Sequence, residues 1–148
     1  DLAAPAPFVS RPRYDRLHGT GDVLDIVQGR LPGLILDARS RGRFEGRDPE
    51  PRAGIESGHM PGARSLPYTE LLDDNGRFLP VDTLKEKFAG LGVTDTTAVT
   101  CSCGSGMTAC MIALALVSIG AGAGEPAVYD GSWAEWASTP DSPIVCGA

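Results

Sequence analysis

The 148-residue chain carries 13 Lys and Arg against 19 Asp and Glu, a formal net charge of −6, and is 42% hydrophobic. That balance suits an ordinary globular protein and argues against nucleic-acid binding or attachment to an anionic membrane, both of which call for a basic face. The longest apolar run, Met111 to Ile119, is far too short to span a bilayer, and four cysteines in this length do not make a disulfide scaffold.

The opening stretch DLAAPAPFVSRP, residues 1–12, has the Ala/Pro composition of a linker entering a domain. It lacks the charged and apolar regions of a secretory signal. The expectation is a piece of a longer chain, with residues 13–148 forming one domain. GDVLDIVQG reads as a helix with Thr20 as N-cap and Gly29 just past its end. LILDARS, Leu34 to Ser40, is a short apolar run ending in a polar turn, the pattern of a buried strand. GRDPEPRAGIESGHMPGA is a long Gly/Pro-rich connection with little helix or strand character; such loops are usually functional or specially packed. In VDTLKEKFAGLG, Leu84, Phe88 and Leu91 share one helical face. TAVTC, Thr97 to Cys101, reads as a second strand. MTACMIALALVSIG is a helix by composition, apolar nearly all round and so expected to be buried, with Gly120 as its stop. PAVYDG, Pro126 to Gly131, is a third strand.

Strands alternating with helices predict an α/β domain with a mainly parallel sheet and right-handed crossovers. Ligands then bind beyond the carboxyl ends of the strands. Two polar loops occupy that edge, one after Asp37 and one after Cys101.

The second loop opens with Cys101-Ser-Cys103. Zinc sites usually pair C-x2–4-C with a second ligand pair; here the spacing is tighter, no second pair exists, and His18 and His59 are far apart. No metal or cofactor is expected. A Cys101–Cys103 disulfide would close a small, strained ring. A nucleophile remains. Cys103 lies between a strand and a helix, where a thiol is activated. A free thiol is only about 3% thiolate at neutral pH, and a helix dipole contributes only ~0.3–1 kcal/mol, so aimed donors must supply the rest. Gly104 and Gly106 let successive amides curl inward as an anion nest, and the Ser105 hydroxyl adds a donor. Cys101 and Cys110 are expected to be buried packing thiols, and Cys146 to be incidental. A cysteine phosphatase needs an Arg six residues after the Cys to clamp phosphate; here that position is Ala109.

Four stretches in order, LILDARSRGRFEG, PEPRAGIESGHMPGA, CGSGMTAC and YDGSWAEW, resemble the rhodanese-type sulfurtransferases, most closely the C-terminal catalytic domain of tandem-domain 3-mercaptopyruvate sulfurtransferases. The resemblance implies a rhodanese-like fold with a five-stranded sheet flanked by helices on both faces. It implies that Cys103, with Ser105, takes a sulfane sulfur as a persulfide, cradled by Gly104, Gly106, Met107 and Thr108. A thiol, thioredoxin or cyanide accepts it. The uncharged loop is similar to that of the mercaptopyruvate class, whose donor is a monoanion, with Arg43 and Arg52 at the substrate-arginine positions. Thiosulfate as donor with cyanide as acceptor, or a persulfide carrier or regulatory rhodanese module without turnover, are the alternatives. An N-terminal rhodanese domain of the same protein is the implied partner, and the cytoplasm the expected compartment. Asp37 and Arg39 are expected to hold structure through buried contacts, His59 to organise its loop, and Trp133 and Trp136 to pack core and rim.

Overall fold

The computed structural model describes residues 9–147. The linker-like segment 1–12 therefore lies outside the described residues except for positions 9–12. Five parallel strands, β1 (Leu17–His18), β2 (Leu34–Asp37), β3 (Arg64–Ser65), β4 (Val99–Ser102) and β5 (Ala127–Tyr129), form one sheet in the order β1-β5-β4-β2-β3. The three central strands are the three read from their apolar runs. The edge strands β1 and β3 are two residues each; they complete the expected five strands, but the sequence did not place them.

Strand alternation sends neighbouring side chains to opposite layers. Leu36, Val99 and Cys101 face α3 (Val81–Gly90) and α4 (Ala109–Ile119), meeting Leu84, Phe88, Ile112 and Leu116. Ile35 and Tyr129 face the other layer, meeting Val23 of α1 (Thr20–Val27), Phe44 of α2 (Arg41–Phe44) and Trp133 and Trp136 of α5 (Ser132–Trp136). Helices on both faces thus cover the sheet, as expected. The two tryptophans are fully buried, each removing ~150–250 Å² from water. That is about 4–6 kcal/mol apiece by area, an upper bound.

The structure corrects three readings. Thr20 is the first residue of α1 rather than its cap: the cap is Gly19, whose N–H donates to the Asp22 carboxylate at 2.9 Å. The helix α4 is not buried all round. Leu114 and Val117 are 54% and 52% exposed, and Cys110 lies on the same open side. Only one flank of α4 meets the sheet, so its apolar composition exceeds what packing requires. Cys110 is consequently an exposed thiol, not a core residue. No helix among the described residues is long and apolar enough to cross a membrane.

Candidate active site

The site lies beyond the carboxyl ends of β2 and β4. Cys103 follows the last residue of β4, and the loop 103–108 delivers the chain into α4. Gly106 sits at φ +84°, and a Cβ there would fall 2.6 Å from the Asp130 carbonyl oxygen, so this turn requires glycine. The loop is tied to the following crossover: Trp133 N–H donates to Cys103 O at 2.9 Å and Ala134 N–H to Gly104 O at 3.0 Å.

Cys103 is 1% exposed yet lines a cleft of about 300 Å³. Burial pushes its pKa up, but hydrogen bonds from the Thr108 hydroxyl, the Ser105 and Ala109 backbone N–H groups and the Ser132 hydroxyl outweigh that and hold the thiol below its ordinary value. The cradle is therefore real in geometry but differs in detail from the expected one. Ser105 donates through its backbone, and its exposed side chain is not among the groups stabilising the sulfur. Thr108, one of the expected cradle residues, supplies the hydroxyl instead. Met107 is 79% exposed on the rim of the cleft.

Ser132 was not anticipated. It lies 29 residues downstream, accepts the buried Cys103 N–H at 3.0 Å, donates to Tyr129 O at 2.8 Å and stands 3.9 Å from the Cys103 sulfur. Its single proton is shared between the near Tyr129 O and the more distant sulfur, so its main service is to fix the Cys103 backbone, with a smaller contribution to the sulfur. The one local hint was a Gly-Ser pair opening an aromatic helix in YDGSWAEW.

Cys101 behaves as expected of a strand-end packing residue. It is fully buried; burial, with a smaller contribution from nearby Cys110, pushes its thiol far up. Cys146 is exposed, with its sulfur 3.8 Å from Ser57 O.

The first loop supplies the arginines. Arg39 is buried and shares three bonds of 2.7–3.1 Å with the Asp37 carboxylate, besides donating to Gly58 O at 2.7 Å. Its guanidinium also lies 4.2 Å from the Trp133 ring centroid. Asp37 and Arg39 are thus structural, as read. From Arg39 the network continues through Glu50 Oε1 at 2.8 Å to Arg43, which presents Nε at 3.1 Å and Nη2 at 2.5 Å to the same carboxylate. Arg43 spends its side-on edge on Glu50, leaving an end-on fork for a ligand. Gly104 is what lets that fork lie across the cysteine loop: a Cβ there would stand 2.8 Å from Arg43 Nη2. Arg52 is exposed, lines the same cleft, and makes no ion pair among the described residues. Cys103, Ser105, Gly104, Met107, Thr108, Arg43 and Arg52 therefore share one cleft. Gly106 shapes the loop from behind.

His59 stacks on Phe44 with centroids 3.8 Å apart, and its Nδ1 lies 2.8 Å from Phe44 O. Its backbone forms an antiparallel bridge with Val145. Trp133 and Trp136 spend their Nε1–H groups on Glu56 O and Pro143 O. All three organise loops and core, as read.

A parallel sheet that presents a cradled cysteine from a strand–loop–helix turn defines an α/β domain built around a stabilised thiol. The model of the Rhodanese-like domain matches residues 20–139, and the chain belongs to that family. Over 109 residues it is 43% identical to "Thiosulfate/3-mercaptopyruvate sulfurtransferase 1, mitochondrial" of Arabidopsis thaliana, covering 74% of this chain and 28% of that protein. Over 136 residues it is 39% identical to the human "3-mercaptopyruvate sulfurtransferase", covering 89% of this chain and 44% of that one. Among solved structures, the yeast mitochondrial complex I sub-stoichiometric sulfur transferase subunit superposes with a TM-score of 0.82 at 39% identity, over 100% of this chain and 54% of the other. The chain thus spans less than half the length of these two curated relatives.

Proposed function

We propose that the chain carries the sulfurtransferase site of a 3-mercaptopyruvate sulfurtransferase, with Cys103 as the nucleophile. The observation that carries this reading is the convergence, in one cleft, of a stabilised thiolate with two arginines and no basic residue in its loop. The names of the relatives support it. Arg43 and Arg52 hold the donor carboxylate. The Cys103 thiolate attacks the donor sulfur, an S–S bond forms and the C–S bond breaks. The electron pair leaves with carbon as the pyruvate enolate. The proton of the donor thiol balances the step, passing from the new persulfide to the enolate to give pyruvate. The amides of Ser105 and Ala109 with the Thr108 hydroxyl stabilise the sulfur anion throughout. A thiol, thioredoxin or cyanide then attacks the outer sulfur and regenerates the Cys103 thiolate. All four cysteines are free thiols, which suits a reducing compartment such as the cytoplasm. Because the chain spans under half of these relatives, a second rhodanese domain of the same protein is the proposed partner at the open cleft.

Thiosulfate as donor is the second reading, favoured by the joint name of the Arabidopsis relative. A carrier that accepts persulfide sulfur without turning over either small donor is the third. Incubation with 3-mercaptopyruvate followed by intact mass should show one added sulfur, absent in Cys103→Ser. No adduct on the wild type, or an unchanged adduct in Cys103→Ser, defeats the proposal. Pyruvate release compared with thiocyanate formation from thiosulfate separates the readings.

A further inference from the structure

The charges of the cleft are set by a residue that does not face the sulfur. The Glu50 side chain is buried, 4% exposed, and its two oxygens accept from Arg39 and Arg43 together. Arg39 has its own counter-charge in Asp37, so Glu50 answers for Arg43. Apart from the Cys103 thiolate, whose charge is answered by the hydrogen-bond donors of its own loop, the charged residues lining the cleft are Arg43, Glu50 and Arg52. With Arg43 matched by Glu50, the cleft offers one net positive charge, carried by Arg52. We propose that Glu50 is the residue that sets donor specificity, tuning the site to a monoanionic sulfur donor over a dianionic one.

The inference rests on the sulfurtransferase reading above. A monoanion such as 3-mercaptopyruvate meets one unmatched guanidinium and leaves no charge over. A dianion such as thiosulfate brings a second charge into a partly enclosed cleft where Arg43 is already neutralised, and desolvating an unanswered charge is costly. Glu50 also fixes which edge of Arg43 is available. Its hold on Nε and Nη2 turns the free end of the guanidinium over Gly104, where it can meet a carboxylate held beside Cys103.

Replacing Glu50 by Gln removes one negative charge and leaves the cleft with two unanswered positive charges. The dianion gains twice what the monoanion gains. Even at the permittivity of bulk water, one extra unit-charge pair at a few ångström corresponds to a change of about fivefold. The test measures kcat/KM for thiosulfate and for 3-mercaptopyruvate, and the rate of Cys103 persulfide formation by mass, in three variants. In Glu50→Gln the thiosulfate-to-mercaptopyruvate ratio should rise at least about fivefold. Met107→Lys adds a charge on the exposed rim without touching the buried network, so it folds whatever Glu50 does for stability; its ratio should rise at least about twofold, less because the site is screened. Met107→Gln is the uncharged control and should leave the ratio unmoved. An unchanged ratio in folded Glu50→Gln or in Met107→Lys overturns the inference, as does an equal rise in Met107→Gln. If wild type forms no Cys103 persulfide from either donor, the sulfurtransferase reading itself fails and takes this inference with it. A persulfide with unmoved ratios overturns the inference alone.

Discussion

Ser132 offers the sharpest test of how the cysteine loop is held. Its hydroxyl satisfies two buried backbone groups, the Cys103 N–H and the Tyr129 carbonyl, while its own backbone sits at φ +50°, in the left-handed region. Ser132→Ala leaves the N–H unpaired and keeps the strained backbone. An unsatisfied buried group costs about 1–3 kcal/mol, and the carbonyl, with a second lone pair, adds less. The expected loss is about 2–4 kcal/mol, or roughly 4–16 °C in Tm for a domain of this size. Ser132→Gly loses the same bonds but relieves the backbone, worth about 1 kcal/mol. Stability should therefore rank wild type, then Gly, then Ala. Both variants remove one donor from the sulfur's surroundings, so the pH midpoint of Cys103 alkylation should rise in both. Thermal melts and the pH dependence of iodoacetamide alkylation measure the two effects. Ala equal to or more stable than Gly, or an alkylation midpoint unmoved in both variants, refutes the assigned role.

Gly106→Ala places a methyl against the Asp130 carbonyl at a backbone angle that side chains rarely adopt. The loop must move, and kcat/KM should fall at least about tenfold while helix content is retained; a near-wild-type rate would show that the loop tolerates the shift. Cys101 makes the fold alkali-sensitive. Its folded pKa is raised by burial, so the native state keeps a proton that the unfolded chain releases above pH ~8.5. Stability is complete below that pH and falls by up to about 1.4 kcal/mol per unit above it. Cys103, shifted the other way, opposes this slope around its unfolded pKa equally in wild type and in a Cys101 variant, so the Cys101 effect is read as the difference between their profiles. Urea melts from pH 8 to 9.5 should show a steeper decline in wild type than in Cys101→Ala; parallel profiles would contradict it.

The central strands were legible because each is an apolar run bounded by turn residues, and the cysteine loop because its glycines sit between a strand and a helix. What stayed hidden was tertiary. The edge strands β1 and β3 are two residues each, too short for any alternation to show. The four-residue α2 contains a glycine and offers no periodicity, yet it is what aims Arg43. The open flank of α4 was misread because apolar composition states how much surface a helix has to bury, not how much the sheet will cover. Ser105 and Ser132 show the same limit at the site. Adjacency to Cys103 suggested the first hydroxyl, while the fold brings in one from the far side of β5. Glu50 was visible only as part of PEPRAG; its pairing with two arginines needs the loop's path in space.

The bridge between His59 and Val145 has a consequence for how the protein comes into being. Residues 143–147 clasp the arginine loop: His59 and Val145 exchange two backbone bonds, Gly147 N–H reaches Glu45 O, and Trp136 donates to Pro143 O. The loop that carries Arg52 is thus held partly by Arg39, Arg43 and Trp133 and partly by a segment made after every residue of the cleft. During synthesis the sheet and the cysteine loop can assemble while the donor side of the cleft is still unfastened. Residues 143–147 leave the ribosome tunnel after the rest of the domain, so a ribosome-bound chain stopped short of residue 143 would have Cys103 and its loop in place before the arginine loop is clasped.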